Sequence, residues 1–446
     1  MIKLSKSLLP IRVKPDVCCT VATESPFLFQ KPWRRPKPLV QYTQPSGFGG
    51  WLWKREVMIT HRIQSSCLTL EKLAMKKSLI ALAAVAASTC AFAQSSVTLF
   101  GGADLNVRSV TSGANKFTGM AQDGIYSSRI GVMGTEDLGG GLKAGFHFEG
   151  GMNPDVGTSV KFDFQRKSTI GLMGGFGEVR LGRDYTPLFT VAGIADPFGT
   201  NGVGSSYNLA NVVTVAGPAI PEAGSFATAQ TASALPASKV ETGTIYADPN
   251  AVRANNSLAY YTPSFGGFTV GAMYSFGGEN TYTATKAGTM TSVKLAYANG
   301  PLTVALANQV TKGGVATTAA ADSQKWTTNF LAGSYDLGVA KISAGYKTDK
   351  LTFVDDTLKS TILGVAAPMG ALTLKASYVW RKGQEKVGNQ FALGAVYDLS
   401  KRTSVYATYA ALNNEEGFGM NVGSALASDF SGLTSKGFEA GIKHSF

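Results

Sequence analysis

Three arginines stand out by their setting among the 446 residues of this chain. Arg129 lies in Ser128-Arg129-Ile130-Gly131, Arg183 in Gly182-Arg183-Asp184-Tyr185, and Arg253 in Val252-Arg253-Ala254-Asn255. A guanidinium keeps its charge at any ordinary pH and offers five donors in one plane, so it suits anions. Catalytic chemistry has much less to work with. Beyond residue 93 only His147 and His444 remain, and no serine partner is suggested for His147. There is no Gly-x-Ser-x-Gly elbow, no phosphate-binding loop and no His-rich metal motif. The residues therefore point away from an enzyme, and no cofactor or metal is expected.

The elements that carry these arginines read as strands, because apolar residues recur with a period of two. At the C-terminus Phe438, Ala440, Ile442, His444 and Phe446 take one parity, and Gly437, Glu439, Gly441, Lys443 and Ser445 take the other. Over 371–382, Leu372, Leu374, Ala376, Tyr378 and Trp380 oppose Thr373, Lys375, Ser377, Val379 and Arg381. The stretch 338–347 repeats the pattern, with Lys341 and Lys347 on the polar side. If the apolar parity meets lipid, a one-residue slip would put Lys or Arg there at about 2 to 4 kcal/mol each near the midplane. The register is thus well specified. On this parity Arg129 faces inward, since Ile130 and Val132 take the other side, and so does Arg253, opposite Leu258 and Tyr260. Arg108 and Asp104 face inward too. Arg183 shares the parity of Leu181, so it turns inward only if the strand has ended or a bulge at Gly182 resets the register, with Arg180 the substitute.

Sixteen such strands are predicted, beginning near 97, 128, 141, 165, 177, 252, 267, 289, 301, 325, 338, 358, 371, 388, 402 and 436. Most span about 9 to 12 residues, enough to cross a bilayer at the usual tilt. Short turn signals (Leu138-Gly139-Gly140-Gly141, Asn299-Gly300-Pro301, Asp336-Leu337-Gly338, Asp398-Leu399-Ser400-Lys401) alternate with longer polar segments. Short turns on one side and long loops on the other are the layout of an outer-membrane β-barrel. A soluble sandwich also fits the alternation locally. Strand length and aromatics near strand ends (Tyr261, Tyr274, Phe276, Tyr346, Tyr378, Trp380, Tyr397, Tyr409) favour the membrane. One long irregular segment, 187–251, is expected to fold inward and narrow the lumen.

The beginning of the chain supplies the remaining argument. From Met75 the sequence MKKSLIALAAVAASTCAFAQ has basic Lys76 and Lys77, an apolar run to Ala87 and the site Ala91-Phe92-Ala93. Residues 75–93 read as a cleavable signal peptide, and 1–74 as an extension from a start codon placed too early. Thr89 before Cys90 argues against a lipoprotein. The domain reading is therefore an extension, a leader and one β-barrel domain over 94–446. The whole chain carries a formal net charge of +12, but 94–446 holds 27 of the 41 basic and 25 of the 29 acidic residues. A nucleic-acid partner thus has no support. All four cysteines (Cys18, Cys19, Cys67, Cys90) also lie before residue 94, so the barrel has no disulfide or thiolate site.

Five stretches in order complete the picture: SSVTLFGGAD, SRIGVMGTEDLGGGLKAGFHFE, LGRDYTPLF, YDLSKRTSVYATYA and the terminal GIKHSF. Together they make 94–446 resemble the trimeric general porins of Gram-negative outer membranes, most closely the β-proteobacterial branch. The resemblance implies an all-β, 16-stranded antiparallel transmembrane barrel whose third external loop bends inward. Its function would be passive diffusion of small hydrophilic solutes and ions through a water-filled channel. By the same resemblance Arg129, Arg183 and Arg253 would form a basic wall, faced by Asp196 in Asp196-Pro197-Phe198-Gly199. The Pro-Glu-Phe-Gly-Gly loop motif of the enteric members is missing here. Phe446 would be the assembly signal. The partners implied are solutes, outer-membrane lipid and lipopolysaccharide, the barrel-assembly machinery and two further copies in a homotrimer. Cations facing carboxylates across a narrow neck would order water and solute dipoles and set ion preference. The arginines favour weak anion preference, which Asp196, Glu222, Glu241 and Asp248 oppose. The alternative is a substrate-specific outer-membrane channel, although the inward aromatics are scattered and form no ladder. An adhesin or assembly barrel would carry a further large domain, and none is visible.

Overall fold

The computed structural model describes residues 96–157, 163–215, 244–277, 288–313, 324–352, 356–423 and 432–446. The extension at 1–74, the leader at 75–93, and Glu222 and Glu241 lie outside them. The first strands are β1 (Ser96–Ser112), β2 (Asn115–Gln122), β3 (Arg129–Gly139), β4 (Leu142–Gly151), β5 (Lys167–Gly174) and β6 (Gly177–Tyr185). Then come helices α1 (Pro187–Ala195) and α2 (Tyr207–Ala210) and a small separate hairpin, β7 (Val212–Val215) with β8 (Thr244–Ala247). The chain continues with β9 (Arg253–Tyr261), β10 (Phe268–Phe276), β11 (Thr289–Asn299), β12 (Leu302–Lys312) and β13 (Lys325–Asp336). Last are β14 (Lys341–Leu351), β15 (Thr357–Met369), β16 (Leu372–Lys382), β17 (Lys386–Asp398), β18 (Thr403–Asn414) and β19 (Thr434–Ser445).

Neighbouring strands pair antiparallel in sequence order, and β1 pairs with β19, so the sheet closes. Closure satisfies the last backbone edge, as a hydrocarbon surround demands. The seam ends on Phe446, whose N–H and carbonyl both bond Gly101 (3.0 and 3.1 Å). The barrel has sixteen staves, one of them in two pieces. Along one edge of β1, residues 96–102 pair with β3 and 105–112 with β2. A strand starting at 128 therefore captures only half of that stave. The break at 123–128 is held from β1, where the Asp104 carboxylate accepts the backbone N–H groups of Ile125 (2.7 Å) and Tyr126 (2.8 Å).

Outward positions are large and apolar, including Leu295, Leu306, Leu331, Leu363, Leu393, Tyr409 and Phe438. Tyr261 differs from the other strand-end aromatics, because it lies beneath the Arg180 guanidinium on the inward parity. The interior also departs from the polar surface expected. Leu188, Val191, Ala192 and Ala195 of α1, with Phe198 and Val203 after it, form an apolar cluster with Ala305, Ala307, Trp326, Phe330, Ala332 and Ile362 of the wall. Helix α1 starts where it does because Thr186 Oγ1 accepts the Phe189 N–H (3.1 Å) and Pro187 is pre-set for a first turn. The wall is small where α1 approaches. A Cβ added to Gly345 would stand 2.8 Å from the Ala195 Cβ. Gly345→Val is therefore expected to displace α1 at about 1–3 kcal/mol of overpacking, seen as lost amide-exchange protection in 187–195 with the strands unchanged.

Candidate functional site

The site lies where β3, the start of β5, the end of β6 and the start of β9 face the 187–211 excursion. Arg129 donates from Nε to the Ser127 carbonyl (2.8 Å), stands 4.3 Å over the Tyr126 ring, and reaches the Glu149 carboxylate at 3.4 Å. Arg166, just ahead of β5, donates to Glu149 Oε1 (2.7 Å) and to the Tyr185 hydroxyl (2.8 Å). Arg253, the first residue of β9, donates to the same hydroxyl (2.7 Å) and lies 4.4 Å over the Tyr185 ring. Two guanidiniums thus meet at Tyr185, and Glu149 links one of them, Arg166, to a third, Arg129, which packs on Tyr126. They line a recess of about 430 Å³, closed on the other side by Phe189, Asn201 and Tyr207 of the excursion.

Arg129 and Arg253, both predicted from parity, come together here; Arg183 does not. A bulge does sit between Gly182 and Asp184, where Gly182 has φ +118° and an added Cβ would meet the Ser168 carbonyl. What it redirects is Asp184 and Tyr185. Arg183 stays on the side of Leu181, where its guanidinium bonds the Gln165 carbonyl and the Asn255 side chain. Arg180 faces inward but is neutralised, by Glu178 (2.6 Å) and Asp184 (2.8 Å). Arg166 completes the cluster, and sequence parity misses it because the residue precedes the first paired residue of its strand. The bonds from Arg166 and Arg253 to one phenol fix both side chains without neutralising either.

Asp196 also differs from expectation. Among the described residues no arginine pairs with its carboxylate, which accepts the backbone N–H groups of Phe198 (2.8 Å), Thr200 (3.2 Å) and Ser206 (2.8 Å). Those bonds tie the turn after α1 into a compact knot. Burial pushes its carboxyl above the ordinary aspartate value, against the pull of those amides. Asp248 is likewise buried, holding Gln309 (2.9 Å) and Thr311 (3.0 Å) of the wall. Asp104 and Arg108 face inward as parity requires. Arg108 is paired with Glu439 (2.8 Å) and donates to the Gly423 carbonyl (3.0 Å) beside a second recess of about 550 Å³ on the far side of Asn201.

The excursion is held against the wall by a buried ion cluster. Asp349 accepts Lys347 Nζ (2.9 and 3.0 Å) and Arg381 (3.0 Å). Both cations also donate to the Ala210 carbonyl, at 2.8 and 2.7 Å. Alternation placed Lys347 and Arg381 inward, and β14 runs on past 347 to carry Asp349 to the same side, but nothing local shows that Ala210 is their shared partner.

Residues 79–417 match the model of the Gram-negative porin family. Outer membrane porin protein 32 of Delftia acidovorans is 39% identical over 387 residues, covering 83% of this chain and 100% of that protein. The major outer membrane protein P.IB of Neisseria lactamica is 28% identical over 374 residues, covering 79% of this chain and 97% of the relative. Among solved structures, the anion-selective porin from Comamonas acidovorans superposes with a TM-score of 0.63 at 33% identity, over 79% of this chain and 100% of that one.

Proposed function

This chain belongs to the Gram-negative porin family, and from that footing we propose that its channel prefers small hydrophilic anions and is narrowed by the 187–251 segment. It is an outer-membrane porin, a water-filled route for passive diffusion of small solutes and ions. Family membership also supports reading it as a transport protein and not an enzyme. The observation that carries the preference is the gathering of Arg129, Arg166 and Arg253 along one recess, with Glu149, bonded to Arg129 and Arg166, the one carboxylate among the described residues that bonds any of them. A passing anion meets excess positive charge there, and a cation is repelled. The similar structure from Comamonas acidovorans is described as anion-selective, which agrees.

Contacts of α1 and α2 with inward wall residues support the constriction role of the segment. We further read 75–93 as the export leader, the assembled form as a homotrimer, and Phe446 as the assembly signal read by the insertion machinery. One observation favours the substrate-selective alternative. Tyr185, Phe189 and Tyr207 form a run of rings (centroids 5.3 and 5.7 Å apart) leading away from the arginines, a surface suited to an anion with a flat apolar body.

In a planar bilayer under a salt gradient, the purified protein is expected to give stepwise conductance with a reversal potential of anion sign. A cation sign would remove the arginine wall as the governing field. Saturable block by an aromatic carboxylate, absent with acetate, would favour the selective alternative.

A further inference from the structure

Glu149 turns its two oxygens to different neighbours. Oε1 takes the contacts from Arg129 (3.4 Å) and Arg166 (2.7 Å), while Oε2 lies 3.6 Å from His147 Nε2. That gap is too long for a hydrogen bond, and His147 Nε2 is a buried atom with no hydrogen-bond partner among the described residues. The imidazole shares the inward parity of Glu149 on β4 and packs edge-on against Phe100 of β1, with centroids 5.1 Å apart. The ring is thus held beside the carboxylate without being bonded to it. A cavity of about 220 Å³ opens next to it, and the side chain is 26% exposed, so lumen water reaches it.

A histidine changes its charge between about pH 5 and 8. What this one does with a proton depends on the groups around it. Glu149 lies on its own strand, Arg129 on β3, Arg166 and Lys167 at the start of β5, and Arg180 with Glu178 on β6. Strand β1 presents Phe100 and the uncharged Ser96 and Thr98, and Met133 and Thr169 stand directly opposite. The cations are already committed. Lys167 pairs with Asp184 (3.1 Å), Arg180 with Glu178 (2.6 Å) and Asp184 (2.8 Å), and Arg129 and Arg166 with the far oxygen of Glu149. Glu149 Oε2 is therefore the acceptor within reach of an imidazolium, and a small approach would close a charge-assisted hydrogen bond. Protonation would add one charge to the wall and draw on the same carboxylate that offsets Arg129 and Arg166.

We infer that His147 is a specificity-determining residue whose protonation strengthens the anion preference of the arginine recess. The inference rests on that recess being the seat of ion preference. His147 lies about 7 Å along β4 from Glu149, so its charge acts on a passing ion from roughly 14 Å. In dilute salt (about 0.01 M, screening length about 30 Å) the anion-to-cation permeability ratio should rise about three-fold from pH 8 to pH 5. The test is the reversal potential of the whole barrel in a planar bilayer at the two pH values. His147→Gln should lose the rise, and His444→Gln, which changes the one other histidine beyond residue 93, should keep it. Carboxylates that titrate in this range are common to all three proteins and drop out of the comparison. Equal responses in wild type and His147→Gln would overturn the inference, whatever the sign of the potential. A cation sign at both pH values would fail the anion preference itself, yet a response lost only in His147→Gln would still support the switch. If His147→Gln does not assemble, His147→Lys asks the same question with a fixed charge and should hold the acid ratio at pH 8; a ratio that still followed pH as in the wild type would overturn the inference.

Discussion

Alanine in place of Asp349 is expected to weaken the attachment of the 187–211 excursion by about 3–5 kcal/mol, the usual cost of removing one partner from a buried ion cluster. Single-channel conductance should rise with it. Asp349 is fully buried and satisfies two cations that are themselves almost inaccessible, while also accepting from Thr328 (2.8 Å) and Trp326 (3.2 Å). The three Lys347 N–H groups are all committed, two to Asp349 and one to Ala210. Without the carboxylate, two buried charges would share one carbonyl. Their cheapest escape is to turn toward the water of the lumen, which releases Ala210.

A second variant separates loop release from damage to the barrel. Replacing a whole buried ion cluster with apolar side chains of similar volume is often neutral, so Lys347→Met/Asp349→Leu/Arg381→Met should assemble normally. It still lacks the donors to Ala210, and its conductance should rise as in the single variant. Unchanged conductance in both, with the strands intact by circular dichroism, would show that this attachment does not set the pore. Asp248, through Gln309 and Thr311, would then be the next tie to cut.

These two variants also mark how far sequence reasoning reaches. Alternation alone turns Lys347 and Arg381 inward, because strand parity is a local property fixed by the lipid face, whereas Asp349 lies past the predicted strand end at 347 and joins them because β14 continues to Leu351. Their common purpose at Ala210 joins residues more than 130 positions apart, and no local pattern carries that. The divided second stave was missed for the same reason. Its break is stabilised from β1 by Asp104, and the short segment before it carries little alternation of its own. Asp196 shows the opposite failure. A carboxylate on a loop is easily assigned to an arginine wall, yet here the nearer amides of its own turn win. Gly345, Ala305 and Ala332 read simply as the unremarkable side of their strands. In the fold they are the space into which α1 packs.

Reversing the charge at Arg253 should change ion preference more than any other single substitution in the recess. Arg129 and Arg166 share Glu149, so part of their field is already cancelled. Among the described residues Arg253 bonds only the uncharged Tyr185 hydroxyl, lies over its ring, and has no partner for its Nε. In a water-filled neck a unit charge about 7 Å from a passing ion is worth about 0.6 kcal/mol. Arg253→Glu alters the wall by two charges, which costs an anion about 1.2 kcal/mol and favours a cation by as much, so the anion-to-cation permeability ratio shifts toward cations by about 2.4 kcal/mol, or roughly sixty-fold at low salt. Arg253→Ser removes one charge and should shift the ratio about eight-fold. Both shifts should shrink as salt is raised from 0.1 to 1 M, where the screening length falls from about 10 to about 3 Å. Reversal potentials for the three proteins across that range measure the effect directly. A graded, salt-sensitive series would assign the field to Arg253, whereas three superimposable curves would move selectivity away from this recess and toward the one beside Arg108.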